Sequence, residues 1–224
     1  MMSFHVFLKH AGEQAQEESA IRRVTLPKNT YLYKAPEKPN TIFLLEKGLV
    51  KIGAHTAEGE EMLYDVLHEG AFFGNLRFLD GQFSEFAKTL TAVDCLQVDL
   101  LFFKQQVCEV PALAAWFQES LVRRWCRMET RLQQLCHLSP LEKLSFIGEH
   151  LKSPFQKNQP AAQEILPLLS AVELAQLTGL SRQTIAKWQK KRLSEDSPLE
   201  LSIKLCAERA AIETLAEREI RRKC

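Results

Sequence analysis

At 224 residues the chain has room for one large domain or two small ones, and 46% hydrophobic with 25% charged side chains is ordinary for a protein that buries real cores. No run of about 20 apolar residues marks a membrane span and no signal-peptide pattern is visible, so a cytoplasmic protein away from membranes is expected. The six cysteines are scattered with no C-x-x-C pair, and the six histidines do not fall at ligand spacing, which argues against a disulfide framework, a zinc ribbon or another metal site. The net charge of +1 is unevenly spread. Residues 1–137 carry 15 basic and 17 acidic side chains, whereas 138–224 carry 14 and 11, so positive charge is local to the second part.

Residues 4–20 are mixed, with Phe4, Phe7 and Leu8 as the face of a short helix. From Ile21 to Val98 the character is β-rich: runs at 21–26, 31–33, 41–45, 49–53, 61–67, 87–92 and 95–98 are separated by turn residues such as Pro27-Lys28-Asn29, Glu46-Lys47-Gly48 and Asp80-Gly81. Turn signals about every ten residues are the rhythm of an antiparallel barrel or sandwich, and small barrels often enclose a ligand.

Pro111 suits the first turn of a helix, and no glycine or further proline follows until Pro140, which predicts a long helix over 111–137. Leu121, Trp125, Met128, Leu132 and Leu135 recur at spacings of 4, 3, 4 and 3, a heptad seam. Such a seam either pairs with a second copy or packs on the chain's own barrel. Arg123, Arg124, Arg127, Glu129 and Arg131 flank it, as expected of a solvated back.

Ser139-Pro140-Leu141-Glu142 is a capping box that starts a further helix, with Leu141, Leu144, Ile147 and Leu151 inward. Residues 153–163 read as a loop and 164–169 as a short edge strand. At Ser170 a second capping box with Glu173 begins a helix that Gly179 can end in the left-handed conformation, and Ser181 caps another helix two residues later. Ile185 and Trp188 face inward on this second helix, leaving Arg182, Gln183 and Lys187 outward.

Arg182 and Gln183 have the donors to read guanine and adenine edges, and Lys187, Lys190, Lys191 and Arg192 supply phosphate contacts beside Ser170, Ser181 and Thr184. The same residues also fit an ordinary solvated basic helix, since helix-glycine-helix patterns are common. Leu193 to Pro198 is turn-like, Leu199 to Leu205 alternates as a strand does, and Ala207 to Lys223 is helix-like.

Three stretches carry a resemblance: Phe43-Leu-Leu-Glu-Lys-Gly-Leu-Val-Lys51, His68-Glu-Gly-Ala-Phe-Phe-Gly-Asn-Leu76, and Gly179-Leu-Ser-Arg-Gln-Thr-Ile185, which is close to a G-x-S-R-E-T-V signature. With their order along the chain, they resemble the family of the cyclic-AMP receptor protein and the fumarate and nitrate reduction regulator (CRP/FNR). The resemblance implies an α+β protein: a cyclic-nucleotide-binding-like antiparallel β-barrel (jelly roll) over 1–110, a central dimerisation helix over 111–137, and a helix-turn-helix DNA-binding domain over 138–224. It implies a homodimeric transcription regulator acting on double-stranded DNA with RNA polymerase as a further partner. No nucleophile-base pair, metal triad or glycine phosphate loop marks an enzyme, so none is expected.

The sequence departs from the family in several places. Where cyclic-nucleotide-binding members carry an Arg-Ser pair for the cyclic phosphate, counting from Gly74 gives Glu85 and Phe86, and the G-E-L motif reads Gly74-Asn75-Leu76. A carboxylate repels a phosphate, so Asn75, Glu85 and Phe86 mark a degenerate effector pocket, and no cyclic nucleotide is expected. The first cysteine is Cys95, which excludes the iron-sulfur branch. Haem stays open, although no residue marks an axial ligand, and the effector is an unidentified small molecule or none. Cys95 reads as a packed thiol, with Cys126 and Cys136 as the better redox candidates. Ala171 stands where relatives often place an arginine, and Leu193 to Glu200 is acidic where relatives have a hairpin wing. These departures motivate an alternative: a ligand-binding barrel whose degenerate C-terminal domain binds a protein.

Overall fold

A computed structural model describes residues 20–37, 39–76, 84–151 and 165–194, with the side chains of 191–194 left aside. The expected helix in 4–20, the loop at 153–163 and the strand and helix expected beyond Leu199 lie outside the described residues, as does most of the wing segment.

Eight strands open the structure: β1 (Ile21–Leu26), β2 (Tyr31–Tyr33), β3 (Thr41–Lys47), β4 (Val50–His55), β5 (Glu61–Leu67), β6 (Phe72–Phe73), β7 (Glu85–Thr89) and β8 (Val93–Asp99). They do not close into the expected barrel. Two antiparallel four-stranded sheets form instead, ordered β1-β8-β3-β6 and β2-β7-β4-β5, and face each other as a sandwich. The physical reason lies at the edges: β2 has three residues and β6 two, too little backbone to carry a hydrogen-bond ladder from one sheet to the other. Four strand bounds also move: the run expected at 41–45 extends to Lys47, that at 49–53 is β4 at Val50–His55, that at 87–92 is β7 at Glu85–Thr89, and that at 95–98 extends to Val93–Asp99. β6, with two residues, was not expected.

Burial on β3 explains the layering. Ile42, Phe43, Leu44 and Leu45 are all buried, because strand alternation sends Ile42 and Leu44 outward to a helical layer and Phe43 and Leu45 inward to the sandwich core. The inner core adds Tyr33, Val50, Ile52, Phe73, Ala87 and Cys95. The outer layer comes from α1 (Leu100–Glu109) and the start of α2 (Pro111–His137), which bring Phe102, Phe103, Leu113, Trp116 and Phe117 against Ile42, Leu44 and Phe72. Helix α1 was not read from the sequence, its apolar run lacking a clear period. Asp99 starts it by accepting from the Leu101 and Phe102 amides at 2.9 and 3.0 Å.

With 27 residues, α2 is about 40 Å long, enough to cross from the first sheet to the far side of the second. There α3 (Pro140–His150), α4 (Ala171–Thr178) and α5 (Arg182–Ser194) cover the second sheet. Leu49, Leu63, Val66 and Leu90 of the sandwich share one core with Leu144, Ile147, Leu151, Leu174, Leu177 and Ile185. Two expectations fail here. Leu141 is 61% exposed because it lies in the first turn of α3, before that helix meets its neighbours, and Ile165 to Leu169 forms a 3-10 turn rather than an edge strand. Pro167 removes an amide that a ladder would need.

Candidate functional site

The helix pair α4 and α5 is built by local chemistry. Ser170 Oγ accepts from the Glu173 amide at 3.2 Å while the Glu173 carboxylate accepts from the Ser170 amide at 2.7 Å, so two amides at the start of α4 are satisfied together. Gly179 ends α4 at φ +68°, where a β-carbon would be strained, and Ser181 Oγ accepts from the Thr184 amide at 3.1 Å to start α5. Ile185 is fully buried and Trp188 half-buried, which turns Arg182, Gln183, Lys187 and Lys190 to solvent. Ser170 and Ser181 are exposed and Thr184 half-buried at the same end. Lys191 and Arg192 lie on the last turns of α5, which runs to Ser194 where a turn was expected from Leu193.

This pair is joined to the sandwich by polar contacts as well as by its core. The Gln176 amide accepts from the Leu63 N–H and donates to the Glu61 carbonyl, both at 2.9 Å, so one side chain on α4 pairs with β5. The Lys51 ammonium of β4 bonds the Glu173 carboxylate. Burial pushes Glu173 up, but Lys51 and Ser170 more than offset it and hold the carboxyl below its ordinary value. Between the two parts lies a cavity of about 360 Å³ walled by Lys51, Glu61, Phe86, Glu173, Gln176 and Arg182.

Arg131 of α2 makes the third link, donating to the Tyr64 and Leu177 carbonyls. Tyr64 is the extra residue of a bulge, since Leu63 pairs with Gly53 and Asp65 with Ile52, and the bulge leaves Tyr64 out of the ladder. Arg131 was expected on a solvated helix back. It is only 8% exposed, and burial lowers the pKa of its guanidinium. Nearby, His68 and His150 are each lowered to about 4 by burial first and the Arg127 charge second. Lys51, Gln176 and Arg131 were missed in the sequence, where no local spacing marks a contact made across 46 to 122 residues.

The expected effector residues separate. Glu85 and Phe86 are neighbours on β7 and face opposite ways. The Phe86 ring lies 6.0 Å from Tyr31 and 5.1 Å from His55 and lines the cavity beside the helix pair. Glu85 accepts from the Tyr33 hydroxyl at 2.5 Å and lies 3.6 Å from the Arg124 guanidinium of α2. Burial raises the Glu85 carboxyl above its ordinary value, against the lowering by Tyr33 and Arg124. Asn75 is buried, two residues past the end of β6.

Along α2 the seam residues Leu121, Trp125, Met128 and Leu132 are 40, 66, 43 and 66% exposed, and Leu135 is half-buried. Cys126 and Cys136 beside them are exposed, whereas burial raises the Cys95 thiol to about 11 and leaves it inert.

Residues 23–107 match the family described as the cyclic nucleotide-binding domain. The chain is 25% identical over 182 residues to the CRP-like cAMP-activated global transcriptional regulator of Mycobacterium tuberculosis, covering 78% of this chain and 81% of that protein. It is also 25% identical over 167 residues to the cAMP-activated global transcriptional regulator CRP of Haemophilus influenzae, with 72% of each chain covered. Among solved structures, the fold resembles the c-di-GMP responsive global regulator CLP of Xanthomonas campestris, with a TM-score of 0.58 at 18% identity over 83% of this chain and 92% of that one. A cyclic nucleotide-binding domain containing protein from Listeria monocytogenes gives a TM-score of 0.63 at 13% identity over 86% and 91%.

Proposed function

On the premise that the chain belongs to the CRP/FNR family of transcription regulators, we propose that it works as a homodimer reading a near-palindromic DNA site, with no cyclic nucleotide as its signal. The observation that carries the reading is the second helix of the pair, α5, whose first turns present Arg182, Gln183 and Lys187 to solvent while Ile185 anchors it in the core. Arg182 and Gln183 read base edges, and Lys187, Lys190, Lys191 and Arg192 hold phosphates with the help of Ser170, Ser181 and Thr184. The assignment divides the chain at about residues 110 and 137, into a sensor, a central helix and a reader. Pairing of two α2 seams through Leu121, Trp125, Met128, Leu132 and Leu135 sets the two reading helices roughly 34 Å apart, one DNA turn. RNA polymerase is then the partner that receives the output.

The cAMP named for the relatives does not suit this chain, because a phosphate at the Glu85 position would meet a half-buried carboxylate that already has Tyr33 and Arg124 as partners. Selection from random-sequence duplexes tests the function: a palindrome should emerge without added nucleotide. On that site Arg182→Ala should cost about 1–3 kcal/mol and relax one base position, while Lys187→Ala should weaken all sequences evenly and reduce the salt slope by about one. Equal losses on every sequence for both variants, or no enriched palindrome, would contradict the assignment.

A further inference from the structure

We propose that Glu85 is a built-in brace, joining the sandwich to the middle of α2 through Tyr33 and Arg124 and setting the helix in its DNA-reading position without any small anion. The second half of this statement rests on the proposed function; the brace itself does not. Four observations lead to it. Tyr33 is 1% exposed and wedged between Phe43 and Phe73, with ring centroids at 5.8 and 6.3 Å, so its hydroxyl cannot swing away from the carboxylate. The Glu85 side chain is 16% exposed on a short strand, where an ionised carboxylate needs donors to be tolerated.

Third, the partner it finds is on another element. Arg123 is engaged by Glu119 on its own helix and Arg127 donates to the His150 carbonyl at 3.3 Å, which leaves Arg124 as the arginine of this turn that faces the sandwich. Fourth, Arg124 adjoins Trp125 of the exposed seam, so the same turn of α2 meets Glu85 on one side and the seam's outer face on the other. Arg124 is 39% exposed, and water screens such a pair enough that its contribution to overall stability is small. Its effect is positional: a hydroxyl donor and a guanidinium charge held on different elements admit one placement of α2 against β7. A small anion arriving here would have to displace the carboxylate from both Tyr33 and Arg124 and would be repelled by it.

The test uses the full chain and two variants, Glu85→Gln and Arg124→Gln. The first keeps shape and removes charge; the second alters a partly exposed side chain and so spares folding. Hydrogen exchange of the α2 amides over 118–128 reads the brace with no DNA present. Each variant should exchange about five- to ten-fold faster in that stretch, and the double variant no faster than either one, because the two changes remove a single shared interaction. Wild-type exchange rates in both single variants, or effects that multiply in the double, would overturn the brace. The same variants should weaken ligand-free binding to the selected DNA site by a similar factor, and cyclic AMP at millimolar concentration should leave wild-type exchange unchanged. Protection of α2 by the nucleotide would overturn the ligand-free half. Should the wild type select no DNA site, the proposed function fails, and the exchange comparison still decides the brace.

Discussion

Two tryptophans nine residues apart on one helix have opposite fates: Trp116 is 5% exposed and Trp125 66%. The first turns of α2 spend their apolar residues inside the chain, where Leu113 joins the core and the rings of Trp116 and Phe117 lie 5.3 to 5.9 Å, centroid to centroid, from those of Phe72 and Phe103. The later turns hold an equally apolar stripe that touches no core of its own, while their inner side is given to arginines. Apolar spacing along a helix therefore says that a face will be covered, and not by what. Only the position of the sheets decides that the first half is covered from within and the second is left for another surface.

The largest expected effect is on the inner half. Trp116→Ala should destabilise the chain by about 3–5 kcal/mol, read from denaturant midpoints, while leaving the self-association of the folded protein intact. The outer half should behave conversely. Leu132→Glu should loosen the proposed dimer by roughly 100-fold in sedimentation experiments and shift stability of the separated chain by no more than about 0.5 kcal/mol. If Leu132→Glu instead unfolds the protein, the stripe is covered from within and the contrast between the halves is false.

A smaller effect sharpens the inner side of the later turns, where Arg127 and Arg131 sit beside His68 and His150. Both histidines are lowered to about 4 in the folded chain against 6.5 when free. The unfolded chain therefore takes up protons first as the pH falls. The stability is fully present above about 6.5 and is lost progressively down to about 4, at up to about 1.4 kcal/mol per pH unit for each histidine. His68→Gln should remove about half of that slope between pH 6.5 and 5 in urea titrations; an unchanged slope would mean that His68 is not held neutral by its surroundings.

What could be read in advance divides along the same line of local against distant. The Ser170 and Glu173 capping box, Gly179 as the helix stop and Pro111 at the start of α2 are each decided within four residues, and all are present in the structure. Strand runs were readable too, yet the pairing of β3 with β8 and β6 was not. Sandwich or barrel depends on how two- and three-residue edges end. Of the candidate site, the exposure of Arg182, Gln183 and Lys187 followed from helix geometry around Ile185. The Glu85 to Arg124 link did not, since a carboxylate in a strand carries no local sign of the helix that will pass over it 39 residues later.

The Gln176 amide has a consequence beyond joining two parts of the chain. β5 is the outer strand of its sheet, and an open outer strand is a template on which another chain can add and start to aggregate. By pairing with the Leu63 amide and the Glu61 carbonyl, Gln176 takes the place of a neighbouring strand along part of that edge. Complete release of the α4 and α5 pair would uncover that template. Motion of the helix pair is thus safest as a pivot about Gln176, with the amide kept in place while the rest of α4 and α5 turns.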